Sequence, residues 1–181
     1  MPQSNFNNPM MDVADLPQIQ ELDKQRLSEK YASTNLKVGA CVVLLLLIIA
    51  FILYFQPFIE VSQNIRQNLL FISSAIIIIV SLVVLLGYQA DIRKSYTLRD
   101  LDIHYSSGLF FRKTVSQPIT RIQHIELKRG PIDRKINLAK LQVFSAGGAM
   151  HTFEIPGLPL ETAQQLRQYI IEHKDVTNHE K

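Results

Sequence analysis

Apolar positions fall into three regimes along the chain. Residues 1–35 are mostly polar. Two long apolar runs follow, 38–55 (VGACVVLLLLIIAFILYF) and 69–90 (LLFISSAIIIIVSLVVLLGYQA), with a short polar segment between them and no Asp, Glu, Lys, Arg or His in either. From residue 91 short apolar clusters alternate with turn residues, until a helical period takes over after Pro159.

At about 1.5 Å per helical residue the two runs cover roughly 27 and 33 Å, against a hydrocarbon core of about 30 Å. Their Ile and Val favour strands in water, but in lipid a helix satisfies its own backbone hydrogen bonds and a lone strand does not. The pattern therefore predicts two transmembrane helices, 36–55 and 69–90, joined by an outward loop, 56–68. The rest of the chain is too short and polar to bury both as core helices. Lys24, Arg26, Lys30 and Lys37 precede the first run and Arg93, Lys94 and Arg99 follow the second, while the loop holds only Arg66. The positive-inside rule then places both termini in the cytoplasm, in a multi-pass protein of the cell inner (plasma) membrane. No small-x-small cleavage site follows the first run, so it reads as an uncleaved anchor. With no ionisable group in either run, a transporter, proton relay or channel is not expected of this chain alone. Ser74, Ser81 and Gly87 share one face of the second run and mark the expected contact with the first.

Ahead of the runs, residues 1–35 read as a cytoplasmic polar tail, partly disordered. Asp15 and Pro17 suit the start of a short helix, and Ile19, Leu22, Leu27 and Tyr31 lie among charges. That stretch reads equally as an amphipathic helix or as a polar linker.

Residues 91–175 read as one small α+β domain, with 176–181 a polar tail. Strands are expected at 96–98, 103–105, 109–115, 122–128, 141–145 and 150–155, separated by turns at 100–102, 106–108 and Gly147-Gly148. Residues 132–138 form a helical turn or connection. Leu160, Ala163, Leu166, Tyr169 and Ile170 recur at helical spacing, so a final helix can cover the sheet.

Charge and cysteine content narrow the function. Residues 91–181 carry 14 Lys/Arg against 10 Asp/Glu, net +4, a mildly basic balance compatible with anionic lipid. It is too modest for nucleic-acid binding, and no aromatic-basic platform appears. Cys41, in the first run, is the only cysteine, so no intramolecular disulfide forms. No nucleophile elbow, phosphate loop or dinucleotide motif occurs, and no catalytic residue or cofactor is assigned. His104, His124 and His151 sit on separate expected strands without HxH or HExxH spacing, so no metal site is assigned.

Three constellations remain. Arg121, Gln123 and His124 either fix a corner of the sheet through buried hydrogen bonds, the reading the pattern favours, or bind a partner or an anionic headgroup. Lys128, Arg129, Arg134, Lys135 and Lys140 surround the Gly130-Pro131 break, as a solvated loop or as a lipid-facing patch. Phe110, Arg112 and Lys113 belong either to a strand with one buried Phe, which alternation favours, or to an apolar tip with a basic shoulder.

The segments PITRIQHIELKRGPIDR, LAKLQVFSAGG and FEIPGL, from Pro118 onward, resemble the bacterial pleckstrin-homology-like (PH-like) domain, and the YdbS-like group of small membrane proteins in particular. The likeness covers roughly residues 36–173, with Arg121, Gln123, His124, Gly130, Asp133 and Arg134 as motif positions. It implies a bent antiparallel sheet capped by a C-terminal helix, behind a transmembrane hairpin. It implies no reaction, and it points to a complex with a second membrane protein carrying such domains, or to a homo-oligomer. Eukaryotic PH domains cradle inositol phosphates in a basic first hairpin loop. The matching turn is read here as Arg99-Asp100-Leu101-Asp102, which is net acidic and speaks against that ligand. The expected function is a membrane-anchored interaction module, with anionic-lipid recognition as the alternative and an enzyme the weakest reading.

Overall fold

The structure is a computed structural model and describes residues 24–56, 62–145 and 153–179. The Gly147-Gly148 turn, His151 and the tail before Lys24 lie outside those residues.

Two long helices carry the apolar runs. α1 (Glu29–Phe55) and α2 (Gln63–Ile92) pack antiparallel, and most of their apolar side chains face outward, Phe51, Phe71 and Ile78 among them. α1 starts at Glu29, so its first turns extend beyond the apolar run. The shielded positions include Gly39, Val43, Leu46 and Ala50 on α1 and Ser73, Ile77, Val80, Ser81, Val84 and Tyr88 on α2. These three- and four-residue spacings trace one seam. At Gly39 a Cβ would overlap the methyls of Val84, so the helices touch closely there. Ser81 lies on the seam as expected, but Ser74 and Gly87 turn away from it. The hydroxyls of Ser73, Ser74 and Ser81 donate to carbonyls of their own helix, which satisfies them without a partner helix.

The remainder is a two-sheet domain. β1 (Gln25–Arg26), β2 (Ser95–Leu98), β3 (Asp102–Ser107) and β4 (Lys113–Pro118) form one antiparallel sheet in that order. β5 (Ile122–Lys128), β6 (Leu138–Ser145) and β7 (Phe153–Pro159) form the second. A 3-10 turn, Ile119–Arg121, links the sheets, and the short α3 (Pro131–Lys135) links β5 to β6. One core joins them: Ile103, Ile122, Leu141, Val143, Ile155 and Leu158 are fully or almost fully buried. Each is worth about 1.5–3 kcal/mol relative to exposure. α4 (Leu160–His179) lays Ala163, Leu166 and Ile170 on this core, the face its periodicity predicts.

Three expectations are corrected. Of the stretch read as helix or linker, residues 24–28 are not helical but run alongside β2: Gln25 pairs with Tyr96 and Arg26 with Ser95, and Leu27 enters the core. Two residues of strand leave no period to read. The strand expected at 109–115 begins only at Lys113, because the chain turns through 108–112. Both phenylalanines are therefore exposed, Phe110 at 76% and Phe111 at 92%, and neither is the buried strand residue that alternation favoured. Finally, β7 does not stop at Ile155. Leu141 pairs with Ile155 and Ala139 with Leu158, so Pro156 and Gly157 together face Lys140 in a bulge and the strand continues. A bulge accommodates the proline that would break a regular ladder.

Candidate functional site

The helices and the sheets meet at a clasp built on Asp91. Its carboxylate accepts from Asn35 Nδ2 of α1 at 2.8 Å and from Lys94 Nζ at 2.7 Å, so one side chain ties α1, α2 and the start of β2. Lys94 also lies over the Tyr31 ring, 5.3 Å from its centroid. Burial pulls the Lys94 pKa down, but the Asp91 hydrogen bond and the neighbouring acidic groups outweigh it, and the net direction is up. Burial pushes the Tyr96 and Tyr105 phenols up as well. Gly157 also packs against Tyr31, in the left-handed region at φ +64°, where a Cβ would overlap the ring. Ser28 N donates to the Gly157 carbonyl at 3.1 Å, so α1 starts against β7.

Beside the clasp opens a cleft of about 1090 Å³ between β1, the end of α2 and the β3–β4 hairpin. Lys24, Arg26, Arg93, Lys94 and Arg112 line it together with the hydroxyl residues Ser95, Ser106, Ser107 and Thr114, of which Ser106 and Thr114 hydrogen-bond each other at 2.9 Å. Sequence reading missed it. Arg26 and Arg93 are far apart in the chain, and only the pairing of β1 with β2 brings them together.

The Arg121-Gln123-His124 group does not fix a buried corner. All three side chains are exposed, while Ile122 and Ile125 of β5 are buried. Strict alternation cannot bury both isoleucines, and the register shift between Ile122 and His124 supplies the extra residue. His124 Nε2 lies 3.2 Å from Glu126 Oε1, and its ring is 5.6 Å from that of Phe144 on β6.

Much of the remaining polar set serves the fold. Asp133 Oδ2 accepts from Gly130 N at 3.0 Å and closes the first turn of α3. Arg129 Nε donates to the Leu138 carbonyl at 3.0 Å. Lys128 lies 3.6 Å from Glu126 and Lys140 3.8 Å from Glu154. Arg134 and Lys135 project outward from α3. His104 is buried, with Nδ1 2.6 Å from Ser116 Oγ and Nε2 3.0 Å from Asp102 Oδ1 at poor hydrogen-bond alignment. It is on β3 and His124 on β5, in different sheets.

The match to known proteins agrees with this geometry. The family described as bacterial PH domain matches residues 11–174. The chain belongs to the bacterial PH domain family. Over 83 residues it is 34% identical to the UPF0699 transmembrane protein YdbS of Bacillus subtilis (strain 168), across 46% of this chain and 50% of that protein. The chain thus spans about half the length of that curated relative. No solved structure matches. This bacterial PH domain protein is a membrane protein: two transmembrane helices carry a PH-like fold of antiparallel strands and a C-terminal helix.

Its strand order also corrects the placing of the first hairpin loop. The first hairpin is β1–β2, and the entire transmembrane pair is its connection. Arg99-Asp100-Leu101-Asp102 closes the second hairpin, so its acidity says nothing about the first loop.

Proposed function

We propose that this protein is a membrane-anchored interaction module. Its PH-like domain stands at the cytoplasmic face of the inner (plasma) membrane and binds a partner membrane protein, either another bacterial PH domain protein or a second copy of this chain. The module has no catalytic role in this reading. The observation that carries it is the β5 bulge, which turns Gln123 and His124 outward together, beside Arg121 and Phe144, on a strand at the edge of its sheet. Bulges re-aim side chains at functional positions, and an edge strand is where a second chain can approach a sheet. Anchoring both partners in one bilayer raises the effective concentration of a weak contact.

The test places a photo-crosslinking residue at Gln123 or His124 in the full chain, in native membranes, with exposed Gln165 on α4 as control. The expected result is a crosslink at 123 and 124 to one membrane protein, absent at 165. Co-purification of that protein is lost in the Gln123→Glu, His124→Glu double variant, with the melting temperature unchanged. Absence of any adduct at 123 and 124, or equal adducts at all three positions, rejects the reading.

A further inference from the structure

We infer that the β3–β4 hairpin is a membrane-inserting tip, with Phe110 and Phe111 entering the leaflet from which α2 emerges and the cleft behind them holding anionic phospholipid headgroups. The inference rests on the transmembrane hairpin and is independent of the partner proposed above.

Position is the first argument. Ser106 pairs with Ser95, the first residue of β2, and Ser107 pairs with Lys113. The hairpin thus closes at the end of the sheet where α2 delivers the chain, and Gly108 and Arg112 share the cleft with Ile92 and Arg93. Ser107 and the turn at 108–112 therefore lie beyond the start of β2. Shape is the second. Gly108 has φ +111°, and a Cβ there would overlap the Phe111 carbonyl, so the turn that exposes both phenylalanines is built around a glycine. The two consecutive phenylalanines are among the most exposed apolar residues outside α1 and α2. Such a pair costs hydrophobic free energy in water and gains it in the interfacial zone of a bilayer.

Charge is the third. Asp91 engages Lys94, but among the described residues Lys24, Arg26, Arg93 and Arg112 form no ion pair. Four unneutralised cations behind two exposed aromatic rings, next to a helix leaving the membrane, complement a phosphate-bearing surface. Each cation near an anionic leaflet is worth about a fivefold change in occupancy. The Lys128–Lys140 patch has weaker standing, because three of its five members already have partners within the domain.

The test uses the full chain in lipid nanodiscs, in a Cys41→Ser background, with an environment-sensitive dye on Phe110→Cys, Phe111→Cys or, as control, Leu101→Cys. Leu101 lies in the β2–β3 turn at the opposite end of the sheet and is 75% exposed. In discs containing phosphatidylglycerol, the dye at 110 and 111 is expected to shift to the blue and be quenched several-fold by shallow doxyl lipid, while the dye at 101 stays aqueous. Arg26→Glu with Arg93→Glu, or pure phosphatidylcholine, is expected to reverse most of the quenching. An aqueous dye at 110 and 111 in anionic discs overturns the insertion. Quenching indifferent to lipid charge and to the double reversal overturns the headgroup cleft. Neither readout involves the crosslinking at Gln123 and His124, so each proposal fails on its own terms.

Discussion

Lys94 is where a single side chain has most to say about stability. Its ammonium is held by Asp91 at 2.7 Å and faces the Tyr31 ring, close to buried Tyr105. Lys94, Tyr96 and Tyr105 all have folded pKa values raised above their ordinary 10.5 and 10.0. A raised value means that the folded state retains the proton that the unfolded state gives up. Stability from these groups is therefore complete below pH 10.0 and is lost as pH rises through the folded values. We expect a melting temperature that these residues leave level from neutral pH to the onset of tyrosine ionisation and lower above it. The chain has six Tyr and no Trp, so tyrosinate absorbance is read without indole overlap, and its change in Tyr96→Phe and Tyr105→Phe isolates those two. Collapse at alkaline pH that persists in Lys94→Met and precedes any tyrosinate signal would refute the assignment. None of this could be read from sequence, where Asp91 and Lys94 are two charges after an apolar run. The same holds for Arg121 and His124: an arginine and a histidine among isoleucines look buried until one inserted residue changes which way they point.

Among elements, periodicity worked where an element was long and one-sided. The two transmembrane helices and the Ala163, Leu166, Ile170 face of α4 were all legible. It failed where the backbone departs from a regular repeat: the two-residue β1, the bulge at Gln123, the glycine turn before Phe110, and the bulge at Pro156-Gly157. The last is the most demanding. Gly157→Ala must place a side chain in left-handed backbone, at about 1–2 kcal/mol, and displace Tyr31 from the junction with α1. For a domain of this size, a loss of 1 kcal/mol lowers the melting temperature by about 4–8 °C. We expect at least that shift by thermal melting in detergent, partly recovered by Tyr31→Ala, which frees the space but not the backbone. A melting temperature equal to the parent's would show that the bulge tolerates a Cβ.

For the whole molecule, the sheet and the membrane helices are one topological object. The PH-like domain is not simply appended after the hairpin, because its first strand precedes the hairpin and Leu27 fills its core. A fragment of residues 94–174 therefore leaves β2 as a bare edge and a core position empty. Joining residues 24–28 to that fragment by a short flexible linker should restore both. The burial of Leu27 alone is worth about 1.5–3 kcal/mol. Denaturant unfolding should place the joined form higher by about that much, with less aggregation through the uncovered edge. Equal stability would mean that β1 adds nothing to the domain. From sequence the hairpin and the domain were each visible, but the pairing of Gln25 with Tyr96 spans both helices and leaves no local trace.

That pairing has a consequence for biogenesis. β1 leaves the ribosome first and then waits while two helices cross the bilayer before β2 is made. If only one helix crosses, β1 and β2 end on opposite sides of the membrane and the sheet cannot close. Completing the fold thus requires that both helices insert, and a chain with one helix left out keeps an unpaired strand and an open core.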